Sequence, residues 1–289
     1  MAGVKQKTPM HKGFTIIEVM IFLAISGVTF LIAASFINGK EAQVEFRTGM
    51  TNANGIIQTL INDVADGSYP LAASQYLSCD ISSVPPIINN PVSTPPDHPD
   101  CALIGKIIAP ENSSNTSSYS IYSVAGCQYY VSVKCATAQQ GGLTPTNINE
   151  EHPALVSLFN QSHDWPGGIS ISKLFIVSGA AAQRIGAFGV FSSLPQMSGN
   201  VLVSGAQAVQ AVYLPGSHLY LDSDAYIKNF VNSNSVATLP NNSYIVMCFL
   251  GSNNHKASIT IGGVNSGGQL SSTLQTGTIA GSTQVYSGC

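Results

Sequence analysis

The sequence predicts an α+β fold, a long N-terminal helix packed on a mainly antiparallel β-sheet domain. Three observations predict it. An apolar run from Phe14 to Ile37 is interrupted by one carboxylate, Glu18. An apolar stripe at helical spacing follows. Beyond Gly67 the pattern turns to short β-rich runs divided by Gly, Pro, Asn and Ser. The composition bounds the class further. Only 9% of the 289 residues are charged and 44% are apolar, against about 25% charge in an average domain. With a positive mean hydropathy, this excludes ordinary intrinsic disorder, and the length suits one or two domains with a real core. A net charge of −3 offers no polyanion-attracting field, so a general nucleic-acid binder is disfavoured. Sparse charge among many Ser, Thr, Asn and Gly points to an exported protein.

At the amino end, Lys5, Lys7 and Lys12 stand in the first 13 residues with no acid. From Phe14 onward 8 basic residues face 14 acidic ones, a balance of 8 − 14 = −6. The uncharged run Val19 to Ile37 is about as long as the ~20 residues a membrane-spanning helix needs. A cleavable signal peptide, with Ala33-Ala34-Ser35 as its cleavage site, is one alternative, and a plain uncleaved anchor is another. A carboxylate at the fifth apolar position argues against the first. An ionised carboxylate in hydrocarbon costs at least ~2.5–3.5 kcal/mol, so Glu18 needs a cationic partner. A cut between Gly13 and Phe14 would create an α-amine of pKa ~7.7–8.0 about one helical turn away.

Lys12-Gly13-Phe14-Thr15-Ile16-Ile17-Glu18-Val19-Met20 and the apolar run behind it resemble the class III leader of type IV pilins and type II secretion pseudopilins. The resemblance covers roughly residues 5 to 66 and implies a pilin-like fold. It implies cleavage after Gly13 by a prepilin peptidase that also N-methylates Phe14. It implies assembly with other pilin subunits at an inner-membrane platform, Glu18 pairing with the amino terminus of an adjacent subunit. Gly27 falls where many pilins have a helix-loosening glycine, whereas Ser35 stands where many major pilins have a proline.

A pilin helix continues into the globular domain, and the next segment supplies that continuation. Phe46, Met50, Ala53, Ile57, Leu60 and Val64 lie on one helical face. Gly49 and Gly55 weaken the helix by about 1 kcal/mol each relative to Ala, and Asp66-Gly67 supplies a stop. A continuous helix from Phe14 to Asp66 would be about 80 Å long. The alternative is a signal anchor followed by an unrelated amphipathic helix.

The domain plan is therefore a leader at 1–13, a transmembrane or filament-core helix at 14–37, its amphipathic continuation at 38–66, and an extracytoplasmic β-rich domain at 67–289. Strands are expected at Cys101–Ala109, Tyr119–Ala125, Tyr129–Val133, Ile169–Val177, Ile185–Phe191, Gln207–Leu214, Tyr244–Leu250 and Ser258–Ile261. No helical crossover is expected among them, so the sheet should be largely antiparallel. Gly251-Ser252-Asn253-Asn254 reads as a hairpin connection. Pro85, Pro86, Pro91, Pro95, Pro96 and Pro99 make 84–100 an exposed loop.

Six cysteines, Cys79, Cys101, Cys127, Cys135, Cys248 and Cys289, follow the apolar segment without a C-x-x-C pair. They suit disulfides in an oxidising compartment, and six permit 15 connectivities. Joining Cys248 to Cys289 would tie down the terminus and resembles the carboxy-terminal disulfide of many pilins. If one strand holds Cys127 and Cys135, they lie too far apart to pair and would join Cys79 and Cys101 in some order. A break between them would instead permit a local pair and a Cys79–Cys101 bridge.

No nucleophile-elbow, phosphate-loop, zinc-protease or dinucleotide motif is present, so no enzyme and no cofactor are expected. His163-Asp164-Trp165 is the most suggestive cluster, but adjacent residues rarely face each other productively, and a surface loop is the simpler account. Asp222 and Asp224 are weak calcium candidates, lacking a fuller ligand set. His98, His152, His218 and His255 are scattered. A structural filament subunit, either a minor pilin or a pseudopilin, is the expected function. The alternatives are a subunit binding DNA or an adhesion ligand through its β domain, or a membrane-anchored exported protein of another activity. After Ile37 there are 8 basic and 13 acidic residues, without the surplus that phosphate neutralisation uses, and no nucleic-acid partner is expected.

Overall fold

The computed structural model describes residues 15–66, 76–80, 87–89, 92, 101–111, 117–127, 153–192, 197–198, 201–202, 209–215, 223–232, 236–240, 242–262, 270–276 and 288–289. The chain divides into two compact units, residues 1–44 and 45–289. Helix α1, Ile16–Ala65, runs through both. Its last turn closes with the Asp66 N–H donating to the Asn62 carbonyl at 2.8 Å, where the sequence placed the stop.

In the first unit α1 is apolar and its large side chains are exposed, between 47% at Val19 and 83% at Ile16. In the second unit the helix buries one stripe. Phe46, Met50, Ala53, Ile57, Leu60 and Val64 are all 4% exposed or less, joined by Ile61. Each large side chain removed from water in this way contributes about 1.5–3 kcal/mol.

The strands are β1 (Cys79–Asp80), β2 (Ile87–Ile88), β3 (Cys101–Pro110), β4 (Ser118–Cys127), β5 (Ala154–Asp164), β6 (Ser170–Ser178), β7 (Ala181–Ser192), β8 (Met197–Ser198), β9 (Val201–Leu202), β10 (Val209–Pro215), β11 (Ala237–Thr238), β12 (Ser243–Leu250), β13 (Lys256–Gly262) and β14 (Ser272–Thr276). Ten of them form one sheet in the order β14-β13-β12-β6-β7-β3-β4-β5, with β10 also on β7 and β11 on β10. Every described pairing between these strands is antiparallel. Strand β7 is the seam: Ala181–Arg184 pairs with β6, while Ile185–Ser192 pairs with β10 and Phe188–Phe191 with β3.

Because strand side chains alternate between faces, β3, β4, β7 and β10 feed two cores. Ile108, Tyr119, Phe188, Val190, Ala211, Ile245, Met247 and Phe249 turn towards α1. Ile107, Tyr122, Val124, Phe191, Val212 and Leu214 turn to the other face. There helix α2, Ser223–Asn232, covers them with Ile227 and Val231, both buried. No helix was expected after Gly67, so α2 is a correction. Its buried positions stand four apart, but the apolar stripe is too short to stand out between two β runs.

Seven of the eight expected strands are present with their ends shifted by a few residues at most, and the runs at Cys101, Tyr119, Ile169 and Tyr244 start within one residue of expectation. The run Tyr129–Val133 lies outside the described residues. Strands β5 and β14 were not anticipated. The Pro-rich segment 84–100 includes the two-residue β2, paired with β1 as a hairpin apart from the main sheet. Proline is tolerated around so short an edge pairing because few ladder N–H groups are needed. The connection at Gly251–Asn254 does join β12 to β13 as a hairpin, with Asn253 and Asn254 at φ 57° and 58°. Asn tolerates this left-handed region better than most residues.

Candidate functional site

Glu18 sits in the first turn of α1 and is held by Thr15. The Thr15 N–H and Oγ1–H both donate to Glu18 Oε2, at 3.0 and 2.9 Å, and the Glu18 N–H approaches Thr15 Oγ1 at 3.4 Å. This is a capping box: two end groups of the helix that lack intrahelical partners are satisfied reciprocally. The helix dipole favours the carboxylate at the same end. Thr15-x-x-Glu18 has capping-box spacing, the signal in the sequence that marks Thr15 beside Glu18. Gly13 and Phe14 lie outside the described residues.

Behind the cap, Ile16–Ala34 is long and apolar enough to cross a membrane. Its hydroxyls are satisfied inside the helix. Ser26 Oγ donates to the Phe22 carbonyl at 2.7 Å and Thr29 Oγ1 to the Ile25 carbonyl at 2.9 Å. Such bonds let polar side chains sit in an apolar phase without an outside partner, and they ease bending. Gly27 between them has nothing within 4 Å of its missing side chain.

Cys248 and Cys289 form a disulfide, with Cα atoms 5.4 Å apart. Cys248 is fully buried with Phe175, Val177 and Val246 on the sheet face away from α1. The end of the chain is fastened beside it, as Lys173 Nζ donates to the Gly288 carbonyl at 2.8 Å and Lys256 Nζ to Cys289 O at 3.0 Å. Cys79 lies in β1, and Cys101 and Cys127 are opposed in the β3–β4 register. Strand β4 is described as far as Cys127, and Cys135 lies outside the described residues.

In the cluster His163-Asp164-Trp165 the first two side chains are exposed, as a surface position requires, but they stand on a strand rather than a loop. His163 and Asp164 end strand β5, and Trp165 is 3% exposed. Its ring lies 4.0 Å from Tyr119 and 5.2 Å edge-on from Phe249. His163 packs on Tyr119 at 5.5 Å, and its Nε2 lies 3.3 Å from Gln161 Oε1. Trp165 supplies the reason for the arrangement, since its large apolar ring anchors the strand end in the core. Burial pushes the Tyr119 hydroxyl pKa up.

His255 stacks on Phe46 at 5.4 Å; His98, His152 and His218 lie outside the described residues. Of the calcium candidates, Asp222 is outside them and Asp224 falls in the first turn of α2. Among the described residues no three His, Cys, Asp or Glu side chains gather as a metal site.

An apolar helix long enough to cross a membrane, leading into a disulfide-bearing β domain, suits a membrane-anchored protein with its carboxy-terminal domain beyond the membrane. Residues 9–34 match the family described as the prokaryotic N-terminal methylation motif. With the apolar helix, that match fits the class III prepilin leader of a pilin or pseudopilin, and the α+β architecture fits a pilin-like fold. The motif implies processing by a prepilin peptidase and assembly with other pilins. No curated protein and no solved structure matches the chain.

Proposed function

We propose that this chain is a minor pilin or pseudopilin, cleaved after Gly13, N-methylated on Phe14 and built into a type IV pilus-like or secretion filament through α1. The observation that carries the proposal is the coincidence of the methylation motif at residues 9–34 with an apolar helix whose large side chains are exposed. Such a surface needs lipid before assembly and neighbouring helices after it. Glu18 is then the residue that registers one subunit on the next. Its carboxylate opposes the α-amine of a neighbouring Phe14, and the attraction is strong because the surroundings are apolar. The prepilin peptidase and methyltransferase, other pilin subunits and an inner-membrane platform are the partners.

Mass spectrometry of the amino terminus from the native membrane fraction tests this. A chain starting at methylated Phe14 is expected. An intact Met1 terminus, or a terminus near Ser35, would overturn the proposal. In the Gly13→Val variant the longer precursor should accumulate in the membrane, and normal maturation of that variant would count equally against it.

A further inference from the structure

We infer that Cys101 and Cys127 are joined, leaving Cys79 and Cys135 to each other, so that two disulfides are nested one inside the other. The inference rests on the domain being exported, as proposed above, and on the register of two strands. In the β3–β4 pair Cys101 stands directly opposite Cys127, followed by Ala102 opposite Gly126 and Leu103 opposite Ala125. Directly opposed residues of an antiparallel pair share a face and have Cα atoms about 4.5–5.5 Å apart. That spacing lies within the 4.4–6.8 Å a disulfide spans.

The competing arrangements fit the backbone less well. A Cys127–Cys135 bridge with a Cys79–Cys101 bridge would start two separate disulfides from opposed positions on one face of a two-strand ladder. Each would have to bring in a further cysteine while its nearest sulfur neighbour stayed unused. The opposed pair lies at the open end of the β3–β4 hairpin, whose other end is closed by the short connection from Glu111 to Ser118, where the Glu111 N–H donates to the Ser118 carbonyl at 3.0 Å. A bond there closes the hairpin at both ends. The outer bridge then spans from β1 to the chain beyond β4.

Formation balances as an ordinary dithiol oxidation. Each bridge forms one S–S bond as two thiols give up two protons and two electrons to the disulfide of an extracytoplasmic thiol–disulfide oxidoreductase, which leaves as a dithiol.

The four sulfurs can be read separately. Trypsin together with a protease cutting before Asp places Cys79 in residues 66–79, Cys101 in 100–106, Cys127 in 107–134 and Cys135 in 135–163. The full-length protein is taken from membranes, alkylated without reduction, digested and analysed by mass spectrometry. Peptide 100–106 linked to 107–134, with 66–79 linked to 135–163, is the expected result. Peptide 66–79 linked to 100–106 or to 107–134, or 135–163 linked to 100–106 or to 107–134, would overturn the inference. So would alkylated Cys101 and Cys127 in a sample whose Cys248 and Cys289 are linked. If Cys248 and Cys289 are alkylated too, the export reading itself fails, and the nested pairing with it.

Discussion

Thr15 and Glu18 show how two side chains can set the start of a helix that must enter an apolar phase. Both Thr15 donors are spent on Glu18 Oε2. Removing the hydroxyl while keeping the shape, Thr15→Val, should cost the first turn about 1 kcal/mol. Amide exchange at residues 16–18 in detergent should then be about five-fold faster, whereas Thr15→Ser should match the parent. Glu18→Ala should still be cleaved after Gly13 but enter filaments poorly, which immunoblotting of sheared filaments against whole cells reads. Tyr119 carries a second residue-scale expectation. Its pKa is raised by burial, so the unfolded state loses its phenolic proton first as pH rises. Stability from this group is therefore full below about pH 10, the unfolded value, and is lost as pH rises through the folded one. Denaturant midpoints measured from pH 8 to 11 should fall at the alkaline end, and Tyr119→Phe should fall less.

At the scale of elements, two helix glycines that look alike in the sequence have opposite roles. Nothing lies within 4 Å of a side chain added at Gly55, so Gly55→Ala should stabilise by about 0.8–1.0 kcal/mol. A Cβ on Gly49 would sit 2.6 Å from the Pro166 carbonyl oxygen, and one on Gly167, whose φ is +66°, would sit 2.9 Å from the Glu45 carbonyl oxygen. Helix and turn meet backbone to backbone there. Gly49→Ala should therefore destabilise by about 1–3 kcal/mol despite its better helix propensity. Thermal unfolding of the two variants side by side checks the difference in sign. The Asp63–Lys106 ion pair at 2.6 Å and the Gln58 amide on Ser272, 2.8 Å to Oγ, fasten the same helix to β3 and β14. A helix that carries its own partners in this way can have a glycine where contact requires one.

For the molecule as a whole, the carboxy-terminal disulfide closes a loop of sequence separation 41. Chain entropy then gives about 4 kcal/mol. Cys248→Ala with Cys289→Ala should lower the unfolding free energy of the β domain by about that amount in urea titrations, and a change under 1 kcal/mol would show that the Lys173 and Lys256 contacts hold the terminus unaided. The function proposed for the molecule depends on keeping this domain folded outside the membrane while α1 exchanges lipid for neighbouring helices.

The amino-acid sequence alone determined the apolar helix, the stripe Phe46 to Val64 and most of the strands, whereas the Cys248–Cys289 bond was one of the pairings six cysteines allow until the fold brought the two together. Helix, stripe and strands are each a local or periodic signal, written by hydrophobicity at spacing 2 or 3.6. The tertiary structure alone decided what depends on which segments meet. Trp165 reads in the sequence as part of a surface loop, whereas its ring packs against Tyr119 and Phe249 in the core. Gly49 looked like a flaw in a helix until the turn at Pro166 was found against it. Helix α2 became necessary only once β7 and its neighbours presented a second apolar face. Long-range contacts of this kind leave no period in the chain, because their partners are chosen by sheet register and by the volume left between layers.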